Sequence, residues 1–136
     1  MRLAVAATPE VALPTLNWLL TSEHDLVRVI SQPDRPSGRG QELHASAVSE
    51  WAKANSIELT TPTAIAEIDT AISDVDLLIT IGYGRILPAT TLSMPTFGCI
   101  NLHFSLLPKY RGAAPVQRAI EAGEVESGVT VFALDP

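Results

Sequence analysis

A single cysteine, Cys99, stands among the 136 residues, so no intrachain disulfide can form. No Cys/His cluster has the spacing of a structural zinc site either. With neither staple in the sequence, a reducing, cytoplasmic setting is the expected one. No apolar run approaches the roughly 20 residues that cross a bilayer. The opening stretch Met1 to Ala7 is cut by Thr8-Pro9-Glu10, too soon for a signal peptide or a spanning segment. No membrane partner is expected. Aromatic residues make up only 5%, and no basic residues interleave around Trp51, so Trp18 and Trp51 are expected to pack in the core and not to stack on bases. Acidic residues are absent from Leu77 through Ile120, where Arg85, Lys109, Arg111 and Arg118 leave four positive charges unopposed.

The formal net charge is nevertheless −6, because Glu42 to Asp76 holds seven acids against one base, Lys53. Those acids are expected on solvated helix faces. At 46% hydrophobic and 18% charged residues the chain can bury a real core, which excludes disorder and collagen-like repeats. Its length suits one domain.

The pattern alternates strand and helix. Arg2 to Ala7 reads as a strand, with Thr8 as helix cap and Pro9 in the first helical position. Val11, Leu13, Leu16, Leu19 and Leu20 follow at helical spacing, and Leu26 to Ile30 is a second strand. Ser31 to Gly40 carries two prolines and two glycines and reads as a loop. Further on, the spacing predicts a helix over Ala45 to Ala54, a short strand over Ile57 to Thr60, and a helix over Thr63 to Ile72 capped by Thr61 or Thr63. Val75 to Ile81 reads as a buried parallel strand. Cys99 to His103 is another strand, Ala113 to Ala122 a helix and Gly128 to Leu134 a last strand. The result is an α/β domain with a mostly parallel sheet and helices on both faces.

In such sheets ligands collect outside the carboxyl ends of the strands. Asn101 and His103 lie there, and strand alternation puts them with Cys99 on one side, opposite Ile100, Leu102 and Phe104. An asparagine amide is a neutral, directional donor suited to an oxyanion that forms only in the transition state. Histidine exchanges a proton near neutral pH. Together they suit acyl transfer without a covalent nucleophile. Cys99 is expected to be an inert buried thiol.

Around that pair runs Asn101-Leu102-His103-Phe104-Ser105-Leu106-Leu107-Pro108-Lys109-Tyr110-Arg111-Gly112-Ala113-Ala114-Pro115. With Gln32-Pro33-Asp34-Arg35-Pro36-Ser37-Gly38-Arg39-Gly40, Val116 to Ile120 and Gly128-Val129-Thr130-Val131, it resembles the folate-dependent formyltransferases, in particular those that act on methionyl initiator tRNA. The resemblance covers the chain from end to end. It implies a Rossmann-like sheet, the formyltransferase fold, and transfer of the formyl group of 10-formyltetrahydrofolate, as donor co-substrate, to the methionine amino group of initiator tRNA. No metal and no obligate protein partner are implied.

Carried over by position, the resemblance makes Asn101 the oxyanion-binding amide and His103 the proton-transfer partner. Ser105, Leu106, Leu107 and Pro108 become the folate-contacting segment, with Arg85, Ile86 and Leu87 in the segment beside the pterin. Arg39, then Arg35, lead the tRNA contacts of the 32–40 loop, and Arg111 joins them. Gln41-Glu42-Leu43 lacks the lysines often found after that loop, and Ala7-Thr8-Pro9 replaces the family's common Gly-Thr-Pro. The family's catalytic aspartate falls just beyond Pro136, Asp135 being too early to match it. The expectation is therefore an apparently truncated amino-terminal portion, 1–136, of a catalytic domain. On that expectation the end of that domain and a following barrel domain are absent, and catalysis without them is expected to be greatly weakened. The alternatives are a formyltransferase for another amine, glycinamide ribonucleotide or an amino sugar nucleotide, and a non-catalytic folate- or tRNA-binding fragment.

Overall fold

A computed structural model describes residues 1–37 and 42–135. Six strands form one sheet: β1 (Arg2–Ala7), β2 (Asp25–Ile30), β5 (Glu58–Thr60), β6 (Leu77–Ile81), β7 (Cys99–His103) and β8 (Thr130–Ala133). Their order is β5-β2-β1-β6-β7-β8. Every pairing is parallel except β7 with β8, which is antiparallel. The chain steps outward from β1 to one side and later returns to its other side as β6, so the order reverses between β1 and β6. That reversal opens the crevice in which doubly wound sheets take ligands.

Both faces of the sheet are covered. Leu3, Val5 and Ala7 of β1 pack with Leu16 and Leu19 of α1 (Leu13–Leu20) and with Val48 and Ala52 of α2 (Ala47–Ala54). Ala4 and Ala6 point the other way, into a cluster with Ile68, Ala71 and Ile72 of α3 (Ile65–Ile72) and Leu92 of α4 (Ala89–Leu92). Burial on both sides explains why β1 and β6 read as continuous apolar runs. A fifth helix, α5 (Pro115–Glu121), follows β7. It is shorter than its apolar spacing suggests, because Ala114 is left-handed at φ 57° and the ring of Pro115 suits the first helical position.

Several expectations change in detail. Thr8 caps no helix: its hydroxyl donates to the Tyr83 carbonyl at 3.2 Å, and a 3-10 turn over Glu10–Ala12 leads into α1. The 32–40 stretch is not all loop. Its β3 (Arg35–Ser37) pairs antiparallel with β4 (Glu42–His44) in a separate two-stranded ribbon. Proline is tolerated there because Pro36 lies in an edge strand. Neither Thr61 nor Thr63 caps α3. Glu67, in the helix's first turn, instead reaches back to accept from the Thr63 hydroxyl and from the Thr63 and Ala64 amides.

Trp18 is a further correction, being 62% exposed. Ala12, Leu16 and Leu19 occupy the buried face of this segment, and Trp18, two positions from Leu16, is turned roughly 200° from it. Trp51 is partly buried, as expected, and its indole N–H donates to Asn17 Oδ1 at 2.8 Å. The acidic stretch is also more than solvated helix faces. Asp74 and Glu58 pair with Arg28 at 3.0 and 2.9 Å, and Asp74 with Arg2 at 2.7 Å. Asp76 accepts from the Arg2 amide, and Asp69 from the Thr91 hydroxyl at 2.6 Å.

Candidate active site

At the carboxyl end of β7 the two residues selected from the sequence stand where strand alternation places them. Cys99 joins the core cluster on one face, whereas Leu102 and Phe104 pack against the cluster on the other. Asn101 Nδ2 donates to Thr80 Oγ1 at 2.8 Å, and that hydroxyl donates to the Ile100 carbonyl at 3.2 Å. Thr80 is paired with Asn101 across the β6–β7 ladder. One of the two amide N–H groups is thereby anchored, leaving the other for a ligand.

His103 Nε2 lies 2.9 Å from the Tyr110 carbonyl. A carbonyl oxygen only accepts, so Nε2 carries the hydrogen and the acceptor of the neutral ring is Nδ1. Tyr110 is itself held in place. It adopts φ 56°, a left-handed conformation unusual for a residue with a side chain, and its hydroxyl donates to Glu124 at 2.8 Å. Glu124 also accepts from Lys109 at 2.8 Å. The Lys109 ammonium, then the Tyr110 hydroxyl, hold the Glu124 carboxyl below its ordinary range, and the same Glu124 contacts raise both partners. Lys109 is therefore paired, and the acid-free stretch of sequence meets an acid in space. Arg111 is exposed and enters none of the ion pairs among the described residues.

Ser105 to Pro108 forms a tight turn beside this pair. Ser105 is fully buried and donates to the Lys109 carbonyl at 2.7 Å. Thr130, the first residue of β8 and the ladder partner of His103, donates to the Ser105 carbonyl at 2.7 Å and accepts from the Leu107 amide at 3.1 Å. Leu106 remains 54% exposed and lies over Gly128, where an added Cβ would come within 2.6 Å of it.

After β6 the chain turns at Gly82, left-handed at φ 55° and so close to Pro9 that a Cβ would lie 2.8 Å from its ring. Beyond it Ile86 is almost wholly exposed, whereas Leu87 is buried in the core. Arg85 donates to the Pro62 carbonyl at 3.1 Å. Tyr83 is buried, and burial pushes its hydroxyl above the ordinary tyrosine range. On the ribbon, Arg35 is exposed and donates to Gln32 at 3.2 Å. Arg39 lies outside the described residues. Asp135 follows Leu134, whose amide donates to the Cys99 carbonyl at 2.8 Å, and so sits toward the opposite end of β7 from His103.

Sequence reasoning assigned no positioning role to Thr80, Tyr110 and Thr130, which hold selected residues in place, or to Glu124, which holds Tyr110. Thr130 and Tyr110 each had a signal, since both lie in segments quoted for the resemblance. Cys99 is the inert thiol expected: its Sγ donates to the Leu92 carbonyl at 3.5 Å, and burial pushes its pKa to about 11. Among the described residues no three His, Cys, Asp or Glu side chains gather as a metal site. No helix among them is long and apolar enough to cross a membrane.

A family profile described as formyl transferase matches residues 1–136. Among curated proteins, the chain is 49% identical over 139 residues to a methionyl-tRNA formyltransferase of Pseudomonas fluorescens, covering 99% of this chain and 44% of that protein. It is 46% identical to the same-named protein of Hydrogenovibrio crunogenus, covering 99% and 45%. The chain thus spans less than half the length of these relatives. Among solved structures, a phosphoribosylglycinamide formyltransferase from Anaplasma phagocytophilum superposes with a TM-score of 0.78 at 25% identity, covering 99% of this chain and 65% of that one.

Proposed function

Because the chain belongs to the formyl transferase family, we propose that it is the amino-terminal portion of a catalytic domain that moves the formyl group of 10-formyltetrahydrofolate to the amino group of methionyl initiator tRNA in the cytoplasm. The observation that carries this reading is the Asn101 and His103 pair, each tied by a hydrogen bond to a fixed partner at the open end of β7. A new bond forms between the amine and the formyl carbon. The bond from that carbon to folate nitrogen breaks, and one proton passes from the amine to the departing nitrogen. The free N–H of Asn101 meets the oxyanion that appears between these events, and Nδ1 of His103 relays the proton.

In this reading the anchored Ser105 to Pro108 turn and the Arg85 to Leu87 segment flank the folate, offering main-chain groups and an exposed leucine and isoleucine to a planar heterocycle. Arg35, Arg39 and Arg111 meet tRNA phosphates. Identity near one half to relatives named for methionyl-tRNA favours that acceptor. The structural likeness to a phosphoribosylglycinamide enzyme favours a second acceptor, glycinamide ribonucleotide, at much lower identity. Single-turnover transfer by the full-length protein, with each acceptor in turn, decides between them. Transfer to methionyl-tRNA alone is expected; transfer to glycinamide ribonucleotide alone would replace this reading with the second.

A further inference from the structure

Building on the tRNA reading above, we infer that Gln32 is a positioning residue that docks the β3–β4 ribbon against the loop following β6. Among the described residues the ribbon pairs with no strand of the main sheet, so its placement depends on its base. There Ser31 and Ser46 bring their hydroxyls to 2.6 Å. Gln32, only 7% exposed, uses both ends of its side chain. Its Nε2 donates to the Tyr83 carbonyl at 3.0 Å, and its Oε1 accepts from Arg35 at 3.2 Å.

The amide orientation follows from chemistry. Reversed, it would set oxygen against a carbonyl oxygen and NH₂ against a guanidinium, with neither bond possible. The Tyr83 carbonyl also takes the Thr8 hydroxyl, so the ends of β1, β2 and β6 meet at one oxygen. Gln32 transmits that fixed point to Arg35 and hence to the ribbon that carries it. Asn101 and His103, on β7, share none of these bonds. Loss of Gln32 should therefore weaken use of the RNA acceptor and leave the chemical step alone.

Two substitutions in the full-length protein separate its two bonds. Gln32→Leu removes both, and Gln32→Glu keeps an oxygen for Arg35 while setting a carboxylate against the Tyr83 carbonyl. Both variants lose the bond to Tyr83 and are expected to raise KM for methionyl-tRNA by at least about three- to tenfold, the worth of that one hydrogen bond, with kcat and KM for the folate donor unchanged. Amide hydrogen exchange at Arg35, Ser37 and 42–44 should quicken by a similar factor while β1 and β6 stay protected. The exchange measurement needs no tRNA, so it tests Gln32 even if methionyl-tRNA proves not to be the acceptor. Wild-type exchange in the ribbon of Gln32→Glu, or loss of protection spread evenly through the sheet, would overturn the inference.

Discussion

The amide of Asn101 donates to the hydroxyl of Thr80 across the β6–β7 pair at 2.8 Å. This bond fixes one N–H and leaves the second to meet developing charge. Asn101→Ala in the full-length protein is expected to lower kcat by about 10²–10³-fold. Thr80→Val, which keeps shape but removes the acceptor, should cost less than about tenfold, since it loosens the amide without deleting it. Single-turnover rates check the pair. A larger loss from Thr80→Val than from Asn101→Ala would reverse the assignment.

The bond from His103 Nε2 to the Tyr110 carbonyl makes a spectroscopic prediction. Nitrogen-15 NMR of the neutral ring should show the hydrogen on Nε2, and Tyr110→Phe, which removes the hydroxyl's bond to Glu124 but keeps the carbonyl, should not change that tautomer. His103→Ala is expected to lower kcat by about 10²–10⁴-fold. An Nδ1–H tautomer would contradict the proton path proposed.

Below neutral pH the cluster around Arg28 should set part of the stability. The Arg2 guanidinium, then Arg28, hold the Asp74 carboxyl below its ordinary range, and Arg28 does the same to Glu58. A carboxyl depressed in the folded state adds stability above its unfolded pKa and loses it as pH falls through the folded one. The urea midpoint is therefore expected to drop as pH falls below about 5, with a shallower drop in Asp74→Asn. Parallel pH profiles for the two proteins would remove Asp74 from this role.

Leu16 and Trp18 lie two residues apart on α1 with opposite environments, 0% and 62% exposed. Leu16→Ala should destabilise by about 2–5 kcal/mol through the cavity it opens. Trp18→Ala should stay within about 0.5 kcal/mol. Chemical denaturation of the two variants makes the comparison.

The strand ends and the Asn101 and His103 pair were legible in the sequence because they depend on local apolar patterning and on alternation along one strand. β1 and β7 span the residues expected from sequence. What holds the pair was not legible. Thr80 is 21 residues from Asn101, and Thr130 is 25 from Ser105, so their bonds exist only once the sheet has assembled. A count of charges along the chain likewise left Lys109 unopposed, although the turn after Ile120 brings Glu124 to it. The ribbon was missed for another reason. Proline and glycine argue against a central strand, and they say little about an isolated edge pair.

The reversed direction of β8 imposes a length requirement on anything meant to act beside His103. Thr130 enters next to that ring, and by Ala133 the strand has carried the chain to Ile100, roughly 10 Å away at the rise of an extended strand. A carboxylate supplied from after β8 would have to be brought back over that distance by a returning segment, so the spacing between strand and acid is itself a determinant of whether the imidazole gains a charged neighbour.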